Sequence, residues 1–303
     1  MRLGISLSST HPSSDHRDGP QHMIERARAA ARADLDLLSV GDHHSTGPFA
    51  YVQNVPIMGR LLAEWGDGPV GCLFLLPLWN PLTVAEQVGT LAAIATGGPF
   101  VIQTGLGSVE QTQALGFDRR ERGARLDASI DLIKALLAGE TVSDERWGLR
   151  DVAIAPLPPE GVEWWIGGTA PRAIERAAAK GDAWYCDAGA DADWAAAQMR
   201  VYLQACDRLG REPGTMAIRK DVFIAESHDE ASRVGDDLIA GGYRGMSRGA
   251  VAYGTAESVA EELAVFGEIG FTDVTIRTMA VPQDVAVTSI ELAGRVRQLL
   301  ASA

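Results

Sequence analysis

Pro69-Val70-Gly71-Cys72-Leu73-Phe74-Leu75-Leu76, then Pro81 to Ala95, then Phe100-Val101-Ile102-Gln103-Thr104, is the stretch that decides the fold. Its first eight residues are nearly all apolar, with no alternation of polar and apolar positions. A strand with one wet face alternates, whereas a parallel strand covered on both faces does not. Pro81 suits the first turn of a helix, where its missing N–H costs nothing. Strand, helix and strand in that order make the unit from which parallel sheets are built.

The same alternation continues in both directions. Toward the N-terminus lie a strand at Leu3–Leu7, an Ala/Arg-rich helix from about Gln21 to Ala33, and a strand at Leu35–Gly41. Toward the C-terminus a helix runs from about Glu121 to Ala138, with Leu126, Ile130, Ile133 and Leu137 on one face. Strands follow at Glu163–Ile166, Ala183–Cys186, Ala217–Ala225 and Val274–Thr278, separated by helices at Ala170–Lys180 and Asp193–Leu209 and by one ending on the stripe Val259, Leu263, Phe266, Ile269. Ser227 and Glu230 read as a reciprocal capping box. A last helix covers about Asp284 to Leu300. Eight strands alternating with helices predict an α/β fold, a closed (β/α)8 barrel in a single domain over residues 1–303; an open doubly wound sheet is the alternative. Three long segments interrupt the pattern, Asp42–Val55, Glu140–Gly161 and Gly241–Gly254, and read as lids or mobile loops.

Composition narrows the class. Hydrophobic residues make up 46% of the chain and charged residues 22%, as in a globular protein with a full core. A net charge of −13 repels nucleic acid and anionic membranes, so neither is expected as a partner. Cys72, Cys186 and Cys206 form no CxxC pair and read as reduced thiols. The opening Met-Arg-Leu-Gly-Ile-Ser-Leu has no long apolar signal core, and no run of about 18 apolar residues occurs, so a cytoplasmic location is expected.

Several short motifs carry chemistry. In Gly41-Asp42-His43-His44, after the second strand, a histidine can pass a proton while the carboxylate holds a cofactor or its neighbour; the alternative is a pair of loop-capping histidines. A metal site is not expected, because adjacent histidines point apart and the other four lack ligand spacing. Gly105-Leu106-Gly107 begins a GxGxxG pattern, but Glu110 replaces the third glycine, so it reads as close backbone approach or a tight turn. Gly167-Gly168-Thr169-Ala170-Pro171 opens a helix and reads as a phosphate cradle or a plain turn. Gly245-Met246-Ser247-Arg248-Gly249 matches GxSxG but follows a helix, not a strand, so a hydrolase is not expected. Trp164 and Trp165 read as core, one of them facing out under a helix.

Together the segments resemble the luciferase-like monooxygenase family. The resemblance rests on Leu75-Leu76-Pro77-Leu78-Trp79-Asn80-Pro81 with Ala85-Glu86-Gln87, on Gly105-Leu106-Gly107, on Arg122-Gly123-Ala124-Arg125-Leu126-Asp127, on Trp165-Ile166-Gly167-Gly168, on Gly181-Asp182-Ala183-Trp184, and on Gly254-Thr255-Ala256-Glu257-Ser258-Val259. It implies a homodimeric barrel that binds reduced FMN or the deazaflavin coenzyme F420, with a flavin reductase as a supplier of reduced cofactor. It places His43 at the reacting end of the ring, with Asp42 beside it. Leu73, Phe74, Gly105, Leu106 and Gly107 would line ring and ribityl chain, and Gly167, Gly168, Thr169 and Ala170 would take the phosphate. It also implies a bend, by cis peptide or bulge, near Cys72-Leu73-Phe74. Asp42 matches the deazaflavin branch, whereas the double His43-His44 is similar to the luciferase side. Ser108 stands where deazaflavin sugar-phosphate dehydrogenases carry a catalytic glutamate, and no Trp follows His44, which argues against that particular activity.

The expected function is therefore a flavin- or F420-dependent oxidoreductase or monooxygenase acting on a small organic substrate, with His44 and Arg277 as candidate substrate contacts. The rival readings are a non-catalytic flavin carrier and a sugar-phosphate lyase or isomerase. A Schiff-base enzyme would want a lysine at a strand end, and the one strand lysine is Lys220.

Overall fold

The computed structural model describes residues 1–12, 15–47 and 49–302. The elements run β1 (Arg2–Leu7), α1 (Asp18–Arg32), β2 (Leu38–Val40), α2 (Asn54–Trp65), β3 (Val70–Phe74), α3 (Pro81–Ile94), β4 (Phe100–Thr104), α4 (Val109–Ala114) and α5 (Arg122–Leu137). A short hairpin of β5 (Val142–Asp144) and β6 (Leu149–Val152) follows, then β7 (Val162–Gly167), α6 (Pro171–Lys180), β8 (Ala183–Cys186), α7 (Ala192–Leu209) and β9 (Thr215–Ile224). The chain ends with α8 (His228–Ala240), β10 (Val251–Gly254), α9 (Ala256–Ile269), β11 (Asp273–Thr278) and α10 (Gln283–Ser302).

Eight parallel strands close a barrel in the order β1-β2-β3-β4-β7-β8-β9-β11, and β11 returns to β1 through pairs such as Ile5–Ile276. The open sheet is thereby excluded. The ten-residue strand β9 pairs with β8 over Thr215–Ile218 and with β10 over Asp221–Ile224, while β11 takes its other edge. Outward-facing apolar residues meet the helix ring. The α5 stripe of Leu126, Ile130, Ile133 and Leu137 is buried in this layer. Helix starts follow from sequence: Asn80 accepts from the Leu82 N–H at 2.9 Å with Pro81 behind it, and Thr255 with Ser258 forms a capping box on α9.

Several elements differ from expectation. Residues 140–161 hold the β5–β6 hairpin, and 241–254 end in a strand that joins the sheet. Ser227 accepts from the Glu230 N–H at 3.3 Å, but α8 forms only this half of the box. β3 pairs with β4 in unbroken register from Gly71–Val101 to Phe74–Thr104, without the expected bend; among the described residues the cis peptide lies at Ala155–Pro156. No helix of the described residues is long and apolar enough to cross a membrane.

Candidate active site

Alternation along the strands decides what faces the barrel axis. Leu37, just before β2, and Val101, Trp165, Ala183 and Ala217, on β4, β7, β8 and β9, form one buried cluster, which only the axis can bring together. Trp164 faces outward instead, against the helix ring and the Lys134 ammonium. Two residues further along, the interior turns polar at the C-terminal mouth on every one of these segments but β7, where Gly167 stands. Ser39, Gln103, Tyr185 and Arg219 stand there, then Asp221 and, beside it in register, Arg277. Lys220 has the opposite phase. It points into the helix layer, where its ammonium donates to the Ala190 carbonyl at 2.7 Å and burial lowers its pKa to about 8. It is not a lysine of the mouth, so the structure offers no support to a Schiff-base reading.

Asp42 is the buried organiser of one side of the mouth. Its Oδ2 accepts from the Leu75 backbone N–H and from the Trp79 indole N–H, both at 2.8 Å. The loop after β2 is thereby tied to the turn after β3. The other carboxylate oxygen lies 3.3 Å from His44 Nε2, and the His44 ring meets Trp79 edge-on at 5.5 Å. The contact falls outside hydrogen-bond geometry, so Asp42 stands against His44 rather than His43 without bonding either ring. His43 turns its ring toward Tyr51, 5.7 Å away between centroids, and leaves its other side exposed. Desolvation holds the His43 pKa below the ordinary imidazole value; Asp42 opposes this, while His44 and Arg244 add to it. Gly41 has no room for a side chain, because a Cβ there would stand 2.9 Å from the Tyr51 hydroxyl and 3.5 Å from the Arg277 guanidinium.

The residues expected to hold a cofactor lie on the arc β3-β4-β7. Leu73, Gly105, Leu106, Gly107, Gly167, Gly168 and Thr169 are all partly exposed at the mouth, and Ala170 is exposed. Phe74 is different: its side chain is fully buried in the outer layer with Trp79, so it can offer only its backbone. Gly107 adopts φ +72° in a turn whose carbonyl accepts from the Arg122 guanidinium at 2.7 Å. α6 begins without a side-chain cap at Ala170, and the Gly168 carbonyl accepts from the Trp184 indole at 3.1 Å. Ser108 caps α4 in a box with Gln111.

Arg277 stands on the facing arc, β11-β1. There a cavity of about 740 Å³ opens between the segment after β1, the loop carrying Phe49 and Ala50, the turn at Tyr243-Arg244 and the end of β11. Asp221, fully buried, accepts from the Tyr243 hydroxyl at 2.8 Å and pairs with Arg219 Nε at 3.1 Å and Arg244 Nε at 3.5 Å. Sequence reasoning missed Tyr51, Arg219, Asp221, Tyr243 and Arg244. The signal was Arg219-Lys220-Asp221, three charges inside a strand otherwise read as buried. Among the described residues no group of three or more His, Cys, Asp or Glu is placed to hold a metal ion.

Residues 1–264 match the family model of the luciferase-like monooxygenases. The chain belongs to that family. The family uses FMN or F420. This luciferase-like protein is 29% identical over 202 residues to an F420-dependent glucose-6-phosphate dehydrogenase of Beutenbergia cavernae, a match covering 62% of this chain and 57% of that one. The chain therefore spans less than two thirds of that relative's length. In fold it is similar to the monooxygenase RslO1 from Streptomyces bottropensis, with TM-score 0.83, 16% identity and full coverage of both chains. It is also similar to an F420-dependent secondary alcohol dehydrogenase solved with an F420-acetone adduct, with TM-score 0.79, 16% identity, and 99% and 98% coverage. At such identities the solved structures speak for the fold alone.

The mouth of this luciferase-like barrel suits a flat, polar-edged ring. Gln103 Nε2 is buried on the axis side of β4 with no hydrogen-bond partner, a donor that an isolated core would not leave unused. It lies below Gly105, where a Cβ would stand 3.0 Å from Leu75, so backbone rather than side chain borders the mouth there.

Proposed function

We propose that this protein is an F420-dependent oxidoreductase that moves a hydride between the deazaflavin and a small organic substrate. The observation that carries the reading is Asp42, whose two acceptor bonds lock the His43-His44 loop onto the turn after β3, while the unpaired Gln103 donor stands on β4 in register with Leu73. The F420-dependent relative supports F420 over FMN.

When bound, F420 supplies a two-electron hydride acceptor or donor. Leu73, Gly105, Leu106 and Gly107 would border its ring, Gln103 would donate to a ring carbonyl, and Gly167, Gly168, Thr169 and Ala170 would meet its phosphate. His43, kept neutral by its lowered pKa, takes the proton of a substrate hydroxyl, and Tyr51 holds its ring. His44, 3.3 Å from the Asp42 carboxylate, borders the same site. Ser108, occupied in capping α4, leaves that position without an acid, so the substrate is not expected to be glucose 6-phosphate.

Titrating F420 and FMN separately into the protein tests the cofactor. F420 should bind well below about 1 mM, a value worth only about −4 kcal/mol. Tighter FMN binding would move the protein to the flavin branch, and no binding of either would reject the reading. His43→Ala should bind F420 normally yet lose turnover by about 10²-fold.

A further inference from the structure

The cavity beside β11 has a charge pattern opposite to that of the molecule. In a chain of net charge −13, its charged wall is made of Arg26, Arg244 and Arg277, and no carboxylate is among the described lining residues. Asp221, in register beside Arg277 on β9, is already shared between Arg219, Arg244 and Tyr243. Among the described residues Arg277 hydrogen-bonds only Ser6, its Nε 3.4 Å from the carbonyl and its NH2 3.3 Å from the hydroxyl. A guanidinium offers five donors, and two long contacts to one serine do not satisfy it. Burial, with Arg219 close by, lowers its pKa to about 10. Asp221 offsets this only in part, and a partly buried cation whose neighbouring carboxylate is already engaged by two other guanidinium groups is costly unless something supplies further negative charge.

The remaining wall is largely apolar: Phe49, Ala50, Met279, Val281 and Pro282. Phe49 leaves 67% of its surface exposed, which suits a side chain that covers an apolar ligand.

We propose that this cavity receives the substrate, and that the substrate is a small organic anion. Its acidic head group, carboxylate or phosphate monoester, meets Arg277 and Arg244, and its apolar body lies against Phe49, Met279 and Val281. The head is held by charge-assisted bonds to a planar fork, and the body by removal from water. This deepens the oxidoreductase reading by naming what is oxidised or reduced, and rests on it.

The test is calorimetric titration of the protein with hexanoate, hexyl phosphate, 1-hexanol and glucose 6-phosphate. One or both hexyl acids should bind at least about tenfold more tightly than hexanol, the scale of hydrogen bonds to a charged group; which of the two binds more tightly assigns the head group. Arg277→Met should remove that advantage and leave hexanol binding unchanged. Arg244→Ala, at a half-exposed side chain, should weaken the acids severalfold and serves if Arg277→Met does not fold. Equal binding of hexanol and both acids would overturn the proposal, as would glucose 6-phosphate binding better than either acid. Displacement of the bound acid by F420 or FMN would also overturn it, because the cavity would then be cofactor space. F420 binding without acid binding would sink this inference and leave the oxidoreductase reading standing; acid binding with neither cofactor would do the reverse.

Discussion

Replacing Asp42 tests whether it is the organiser of the mouth. In Asp42→Ala the Leu75 N–H and the Trp79 indole N–H, both bonded to Oδ2 at 2.8 Å, lose their acceptor in a buried setting. Each stranded donor costs about 1–3 kcal/mol, so the pair costs about 4 kcal/mol. In Asp42→Asn the amide oxygen can still accept from both, and only the extra strength of a charged acceptor is lost, about 1 kcal/mol per bond or about 2 kcal/mol in total. Unfolding entropy near 2.1 cal/mol/K per residue converts each kcal/mol to about 1.6 °C in Tm for a chain this long. Asp42→Ala should therefore melt about 6 °C below wild type and Asp42→Asn about 3 °C below. Scanning calorimetry at fixed protein concentration reads both shifts. Adding Trp79→Phe should shrink the alanine effect, since one of the two donors is then absent. A drop under about 2 °C for Asp42→Ala, or a larger drop for Asn than for Ala, would refute the reasoning.

His43 has a pKa below the ordinary 6.5, so it is neutral above that range and able to accept a proton. For alcohol oxidation kcat/KM should fall as pH drops through that lowered pKa and stay flat above it; a profile that His43→Ala leaves unchanged would remove His43 from the chemistry. His11 is pushed down to about 4, chiefly by burial. Its unfolded form takes up a proton near pH 6.5 while its folded form stays neutral, so its share of stability is full above pH 6.5 and is lost as pH falls toward 4. His11→Gln should flatten part of the decline in Tm between pH 7 and pH 5, and an unchanged slope would show that the imidazole is not responsible. A homodimer is expected from the family resemblance, and sedimentation at micromolar concentration showing the monomer mass would reject it.

The barrel strands could be read where a parallel strand covered on both sides is an apolar run, as at Val70–Phe74, and where β-branched residues alternate with polar ones turned to the axis, as at Val274–Thr278. α2 went unassigned because Pro56 and Gly59 interrupt it, and its stability comes from burying Ile57, Met58 and Leu61 rather than from local preference. β10 is four residues in a glycine-rich segment and owes its existence to the free upper edge of β9. In the site, local order showed that Asp42, His43 and His44 close a strand, but not which imidazole the carboxylate would face. That depends on Trp79, which approaches from the next βα turn. The Asp221 cluster joins residues from β9 and the turn before β10, a contact fixed by barrel closure and invisible in either segment alone.

Strand β9 carries a liability for anyone trimming the molecule. Its lower edge closes the barrel, but its upper edge, Asp221 to Ile224, is covered only by β10. A shortened version joining α8 directly to α9 would look harmless in an alignment of loops. It would bare a row of backbone donors and acceptors beside Val222 and Ile224, a template for pairing with another chain. Such a truncation should express as aggregate at concentrations where the full chain stays dispersed, unless a proline or lysine is written into the bared edge.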